Sequence, residues 1–218
     1  MIPNADHPVR RGYCSSEKAA EYARRSPARG RAEKRLLSRL LARIRPEGEA
    51  PGLRVLDVPA GAGRMARFLE EQGFDAFETD ISKEMLFRGQ EDGSKTGVAV
   101  VGDLQGRLPF KDAAFDLVLC WRFLHHLPGA TEVADVLSEA ARVTRCWVIA
   151  SFFHPCSLHN LQRKAGRALG GAAASRHAIW PAEIRRAAGM AGLEMKWTAA
   201  QLPFLKDLWA ALFIKVDG

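Results

Sequence analysis

The chain has 218 residues, 47% of them hydrophobic, and carries a formal net charge of +7. That length and apolar content support one substantial core, and hence a single domain over residues 1–218. No stretch reaches the ~20 apolar residues of a membrane span, and the charged start "MIPNADHPVRRGYCSSEKAAEYARR" lacks the apolar core of a signal peptide, so the expected setting is the cytoplasm, including the surface of a membrane. The four cysteines, Cys14, Cys120, Cys146 and Cys156, share no C-x-x-C spacing, which argues against a metal site or a disulfide framework.

In chain order, Ser15 to Arg25 and Arg31 to Ile44 read as basic helices, the second with an apolar stripe of Leu36, Leu37, Leu40, Leu41 and Ile44. Residues 1–46 thus form an N-terminal helical cap. After the Pro/Gly-punctuated loop from Pro46 to Gly52, strands and helices alternate. Strands are expected at Leu53 to Val58, Phe74 to Thr79, Gly97 to Val101, Phe115 to Cys120 and Cys146 to Phe152. Helices are expected at Ala62 to Gln72, Ser82 to Gln90 and Thr131 to Val143, with a turn or short helix near Leu104 to Phe110. Such alternation predicts a doubly wound α/β sheet of mostly parallel strands with ligands at the strand C-terminal ends. A polar, arginine-rich helical insert follows (residues 154–191). The last two apolar runs, Leu193 to Ala200 and Leu208 to Val216, have only a loop between them, so they must pair as an antiparallel hairpin and bring the sheet to seven strands.

The stretch "LRVLDVPAGAGRMARFLEEQGF" places an acid, Asp57, before a glycine turn. Gly61, Gly63 and Ala66 fit the loose dinucleotide fingerprint, but a carboxylate at the strand end repels a pyrophosphate. It attracts a cation. Here the chain resembles the class I S-adenosylmethionine-dependent methyltransferases, closely over residues 53–153 and loosely elsewhere. Asp57, Gly61 and Gly63 match the family's first motif, and Pro59 stands where the family most often has its first glycine. The run "FETDIS" resembles the second motif, in which an acid holds both ribose hydroxyls; Asp80 matches it, and alternation turns the competing Glu78 to the opposite side from its neighbours. The run "VVGDLQGRLPF" resembles the third, where Asp103 accepts from the adenine amino group and the Leu104 N–H meets a ring nitrogen. The run "FDLVLCWRFLHHL" matches the fourth strand and the loop that lies beside the methionine end. The resemblance therefore implies a cofactor site of Asp57, Pro59, Ala60, Gly61, Gly63, Asp80, Ile81, Asp103, Leu104, Cys120 and Trp121, with S-adenosylmethionine as methyl donor, S-adenosylhomocysteine as product, and no metal.

Of His125 and His126, one is read as packing and the other, taken as His126, as facing the cleft; His154, held extended before Pro155, is the acceptor-side histidine and the second candidate base. Phe153, His159, Arg163 and Arg176 are the candidate acceptor residues, because the insert's excess of guanidinium groups suits a phosphate or carboxylate. The favoured acceptor is small or lipid-linked and anionic. RNA or protein is the alternative, nucleic acid being disfavoured by the lack of an N-P-P-Y-like run. A nicotinamide oxidoreductase and a non-catalytic relative of the fold stand as readings from other classes.

Overall fold

The computed structural model describes residues 27–44, 52–92, 98–158, 162, 177–203 and 205–216. The first expected helix, Ser15 to Arg25, lies outside them. Helix α1 (Pro27–Ile44) precedes β1 (Arg54–Asp57), α2 (Arg64–Glu71), β2 (Asp75–Asp80), α3 (Lys83–Glu91), β3 (Ala99–Val101), β4 (Phe115–Cys120), a 3-10 turn (Leu124–His126), α4 (Ala130–Val143), β5 (Thr144–Phe153), α5 (Pro181–Met190), β6 (Leu193–Ala200) and β7 (Leu208–Lys215). The sheet runs β3-β2-β1-β4-β5-β7-β6. β1 pairs in parallel with β2 and with β4, while β7 lies antiparallel to both β5 and β6. This is the expected seven-stranded, doubly wound sheet with its C-terminal hairpin.

Reversal of strand order across β1 and β4 sends crossover helices to opposite faces, so a cleft opens beyond the C-terminal ends of those strands. On one face the stripe of α1 (Leu36, Leu37, Leu40, Leu41) packs with Phe68 and Leu69 of α2 against Val55, Leu117 and Leu119. On the other, Val136, Leu137 and Ala140 of α4 and Ile184 and Ala188 of α5 pack against Leu56, Val118 and Val148. α1 also reaches the hairpin: Arg39 Nη1 donates to the Ala200 carbonyl at 3.3 Å and the Arg43 guanidinium lies 5.0 Å from the Trp197 ring.

Two local differences from expectation have physical causes. α2 starts at Arg64 rather than Ala62, because Gly63 has φ 66°, outside the right-handed helix. Leu104 to Phe110 forms turns, one of the two forms expected there; Arg142 of α4 donates to the Leu108 and Phe110 carbonyls (3.2 and 2.9 Å), so these backbone acceptors are satisfied without helical pairing. In the insert, residues 177–180 are extended before α5. Pro181 disfavours a helical conformation at Trp180, and the proline is itself suited to the first helical position, where the Glu183 carboxylate accepts from the Trp180 N–H at 2.8 Å.

Candidate active site

β1 delivers Asp57 to the sheet's C-terminal end, and the turn that follows is stitched to its neighbours by backbone groups. The Val58 N–H donates to the Leu119 carbonyl and the Ala60 N–H to the Thr79 carbonyl, both at 2.9 Å. The Gly61 N–H donates to Asp80 Oδ2 at 2.7 Å. Gly61 and Gly63 both have positive φ (58° and 66°), and the Val58–Pro59 peptide is cis. Ser82 begins α3 as its cap: its Oγ accepts from the Met85 N–H at 3.2 Å, and its own N–H donates to Asp80 Oδ1 at 2.9 Å. One carboxylate thus fixes both the glycine turn and the start of α3.

Three carboxylates surround that turn. Asp57 and Glu78 are cross-strand partners on β1 and β2, both essentially inaccessible, and Asp80 is buried two residues on. Neither oxygen of Asp57 is in a hydrogen bond of full geometry among the described residues, the Ala66 N–H making a weaker contact with it. Burial first, and then the charge of Glu78, push its carboxyl well above the usual aspartate range, while the Ala66 N–H and the Arg64 guanidinium pull it back. Burial also raises Asp80, against the opposing pull of the Ser82, Gly61 and Ile81 backbone groups. Glu78 does not sit where a ribose is expected. Its carboxylate lies against Gly63 at the N-terminus of α2, so closely that a side-chain carbon on Gly63 would overlap Oε1. This is the position a pyrophosphate takes in dinucleotide-binding folds, and here an acid fills it. A carboxylate at this place disfavours a phosphate-bearing cofactor on charge.

The neighbouring strand ends complete the cleft. Gly102 N–H donates to the Asp80 carbonyl at 3.1 Å, which sets β3 and the following Asp103 beside β2; Asp103 is near enough for its charge to raise Asp80. Asp103 Oδ1 accepts from the Gln105 N–H at 3.0 Å, a local turn, while Leu104 is packed in the core and Ile81 is partly exposed. Cys120 is fully buried at the end of β4, and burial, then Asp57, raise its thiol far above the range in which a thiolate forms. It packs in the hydrophobic core at that strand end. Trp121 is buried with α1, and its Nε1–H donates to Glu33 at 3.4 Å. Glu33 and Arg122 went unnoticed in the sequence; an acid three residues before the Leu36 position of a buried stripe was the available signal.

The histidines separate by environment. His125 is buried, stacked on Phe153 with ring centroids 4.0 Å apart and on His126 at 4.1 Å. His126 is the partly exposed member of the pair. Phe153, read as an acceptor wall, is itself in the core between His125 and the Arg122 guanidinium, 5.6 Å from its ring. A residue closing a parallel strand has helices on both faces and is covered there. His154 is stacked on Trp209 at 4.4 Å and edge-on to Trp180 at 5.7 Å. Its Nδ1 accepts from the Cys156 N–H at 3.1 Å, and burial holds its pKa below the ordinary value. A proton could be taken only at Nε2. His159, Arg163 and Arg176 lie outside the described residues.

Residues 56–146 match the family model described as a methyltransferase domain. The chain is 38% identical to a demethylmenaquinone methyltransferase of Beutenbergia cavernae over 111 residues, 50% of this chain and 44% of that one. It is 29% identical to a ubiquinone biosynthesis O-methyltransferase of Xylella fastidiosa over 91 residues, 40% of this chain and 37% of the relative. The chain therefore spans less than half the length of these relatives. Among solved structures, magnesium protoporphyrin IX methyltransferase from Synechocystis PCC 6803, with bound SAH, superposes with a TM-score of 0.78 at 21% identity, covering 95% of this chain and 98% of that one. Residues 56–146 thus match a methyltransferase domain, and the chain shares the fold of that solved methyltransferase.

Proposed function

We propose that the protein transfers a methyl group from S-adenosylmethionine to a small or lipid-linked, anionic acceptor, by direct displacement and without a metal ion. The observation that carries the cofactor reading is Asp57, buried with neither oxygen in a hydrogen bond of full geometry, beside a glycine turn that a second carboxylate, Glu78, lies against. When bound, the cofactor supplies a methyl on a sulfonium. Asp57 faces its cationic end. Asp80 spends one lone pair of each oxygen on Gly61 and Ser82, and a carboxylate has about four such sites, so capacity remains for two ribose hydroxyls. Asp103 and Leu104 serve the base. α1, within the 1–46 cap, covers the donor, and the 154–191 insert receives the acceptor. Equilibrium dialysis with labelled S-adenosylmethionine and labelled NAD tests this reading: binding of NAD, or of neither, would end it.

Acidity supplies a finer prediction. The folded carboxyl of Asp57 titrates above its unfolded counterpart, so the free fold is favoured below the unfolded value and loses that advantage as pH rises through the folded one. A bound cation favours the ionised form instead. Affinity for S-adenosylmethionine is expected to climb with pH across that window, with proton uptake by buffer measurable by calorimetry. Asp57→Asn should flatten the climb, leaving the smaller part due to Asp80; a pH-independent affinity in the parent would refute the role.

The acceptor reading rests on the relatives, which by name act on quinone precursors and a porphyrin, and on the basic side chains between Arg163 and Arg186. Among the described residues no helix is long and apolar enough to cross a membrane, so a lipid-linked acceptor would be met at a bilayer surface. Labelled methyl transfer to a demethylated quinol, a porphyrin carboxylate, tRNA and a protein panel separates the classes. Replacing Arg163 and Arg176 by Gln is expected to raise the KM of an anionic acceptor about tenfold and leave cofactor affinity unchanged. The parent KM should also rise with salt over the ~8 Å Debye range. A salt-independent rate on a neutral acceptor, with both substitutions silent, would discard the anionic class.

A further inference from the structure

Glu33 is the acid on the buried stripe of α1, 1% exposed. Its carboxylate joins three elements. Oε2 accepts from Arg64 Nη2, at the first residue after the glycine turn, and from Trp121 Nε1. Oε1 accepts from Arg122 Nη1 at 3.0 Å, in the turn after β4. Arg122 is held in a left-handed conformation, φ 59°, which a non-glycine residue adopts only where its surroundings enforce it. The enforcing groups are Ser151, whose Oγ accepts the Arg122 N–H at 2.6 Å, the Phe153 ring, and Glu33 itself.

Arg64 borders the site assigned above to a cation, and Arg122 follows Trp121 in the turn after β4, at the same end of the sheet. The charge of Arg64 reaches Asp57, and Arg64 Nη1 is buried without an acceptor among the described residues. The Arg122 side chain is only 10% exposed. Two such guanidiniums would repel a sulfonium unless one is cancelled. Glu33 is the carboxylate in contact with both.

We propose that Glu33 is a positioning residue that completes the donor site from α1: by pairing with Arg64 and Arg122 it seats the helix over the strand ends and preserves the site's preference for the charged methyl donor over the uncharged thioether product. The inference rests on the S-adenosylmethionine reading. The parent group of one carboxylate and two guanidiniums carries one net positive charge, Glu33→Gln carries two, and the double variant Glu33→Gln/Arg122→Gln returns to one.

The test is calorimetric titration of S-adenosylmethionine and S-adenosylhomocysteine into parent, Glu33→Gln and the double variant, with circular dichroism to establish folding. One uncancelled charge at the margin of a partly buried site, at an effective dielectric of ~20, is worth about tenfold in the affinity of a cation. Glu33→Gln is expected to lose about that much for S-adenosylmethionine and less than threefold for S-adenosylhomocysteine. The double variant is expected to recover the parent's ratio of the two affinities even where both have weakened through loosening of α1. Equal losses for the two ligands in Glu33→Gln, or no loss, would overturn the proposal. Should Glu33→Gln fail to fold, the double variant decides alone, since a ratio departing from the parent's would overturn it. Parent protein that binds neither ligand would instead count against the donor reading.

Discussion

Gly63→Ala is expected to destabilise the protein by about 2–5 kcal/mol and to abolish cofactor binding, from two separable causes. A left-handed backbone costs a non-glycine residue ~1–2 kcal/mol, and Gly63 has φ 66°. The added carbon would also overlap Glu78 Oε1 and lie 3.1 Å from its Cδ. Glu78 cannot swing aside into solvent, because it is fully buried on β2 opposite Asp57; overpacking of this kind costs ~1–3 kcal/mol. Urea unfolding of the single variant, of Glu78→Ala and of the pair forms a cycle in which the overlap appears as coupling and the backbone cost does not. A coupling near zero would mean that Glu78 yields without cost. A loss under about 0.5 kcal/mol in the single variant would remove both arguments.

The order of strands and helices was readable because the central strands are buried on both faces. Buried parallel strands such as "FDLVLC" are continuous apolar runs, and the intervening helices have 3.6-residue stripes. β4 and β6 fall on the expected residues, whereas β5 begins at Thr144, two residues early, since α4 passes into it with no intervening loop. The acids at the strand ends were readable for a different reason, as Asp57, Asp80 and Asp103 each follow an apolar run and precede a turn.

What a strand pattern does not carry is which buried acid fills which space. Glu78 and Asp80 lie two apart on one strand and share a face, yet Asp80 binds the turn from its end and Glu78 packs beneath Gly63. Only the placement of α2 over β2 separates them. Glu33 was legible in part, since its spacing to Leu36, Leu37 and Leu40 puts a charge on the buried side of a helix, and a buried charge requires partners. Its partners, Arg64 and Arg122, are 31 and 89 residues away, a distance no local pattern bridges. Phe153 illustrates the converse: as a strand-end aromatic it is equally suited to wall a cleft or to close a core, and the stacking of His125 and Arg122 upon it decides for the core.

Asp80→Ala is expected to weaken both S-adenosylmethionine and S-adenosylhomocysteine, by about 1.5–3 kcal/mol, the usual worth of hydrogen bonds to a charged acceptor. The ribose is common to both ligands, so both should weaken, and S-adenosylmethionine the more, because the lost carboxylate also attracted its sulfonium. A second consequence comes from the free protein. The Gly61 and Ser82 N–H groups lose the acceptor that holds the turn against α3, and leaving a buried donor unsatisfied costs ~1–3 kcal/mol each. The Gly61 contact is partly buried, which favours the lower end there, and the Ser82 contact is buried, so a fall of about 2–4 kcal/mol in unfolding free energy is expected. Asp80→Asn keeps one acceptor oxygen and places an N–H where the other stood, so it should recover part of the stability and little of the affinity. Calorimetry on a folded Asp80→Ala protein that binds both ligands as tightly as the parent would take Asp80 out of the cofactor site. The ribose would then have to be held by Asp103 or by backbone groups of the turn, because Glu78, enclosed beneath Gly63, has no route to it.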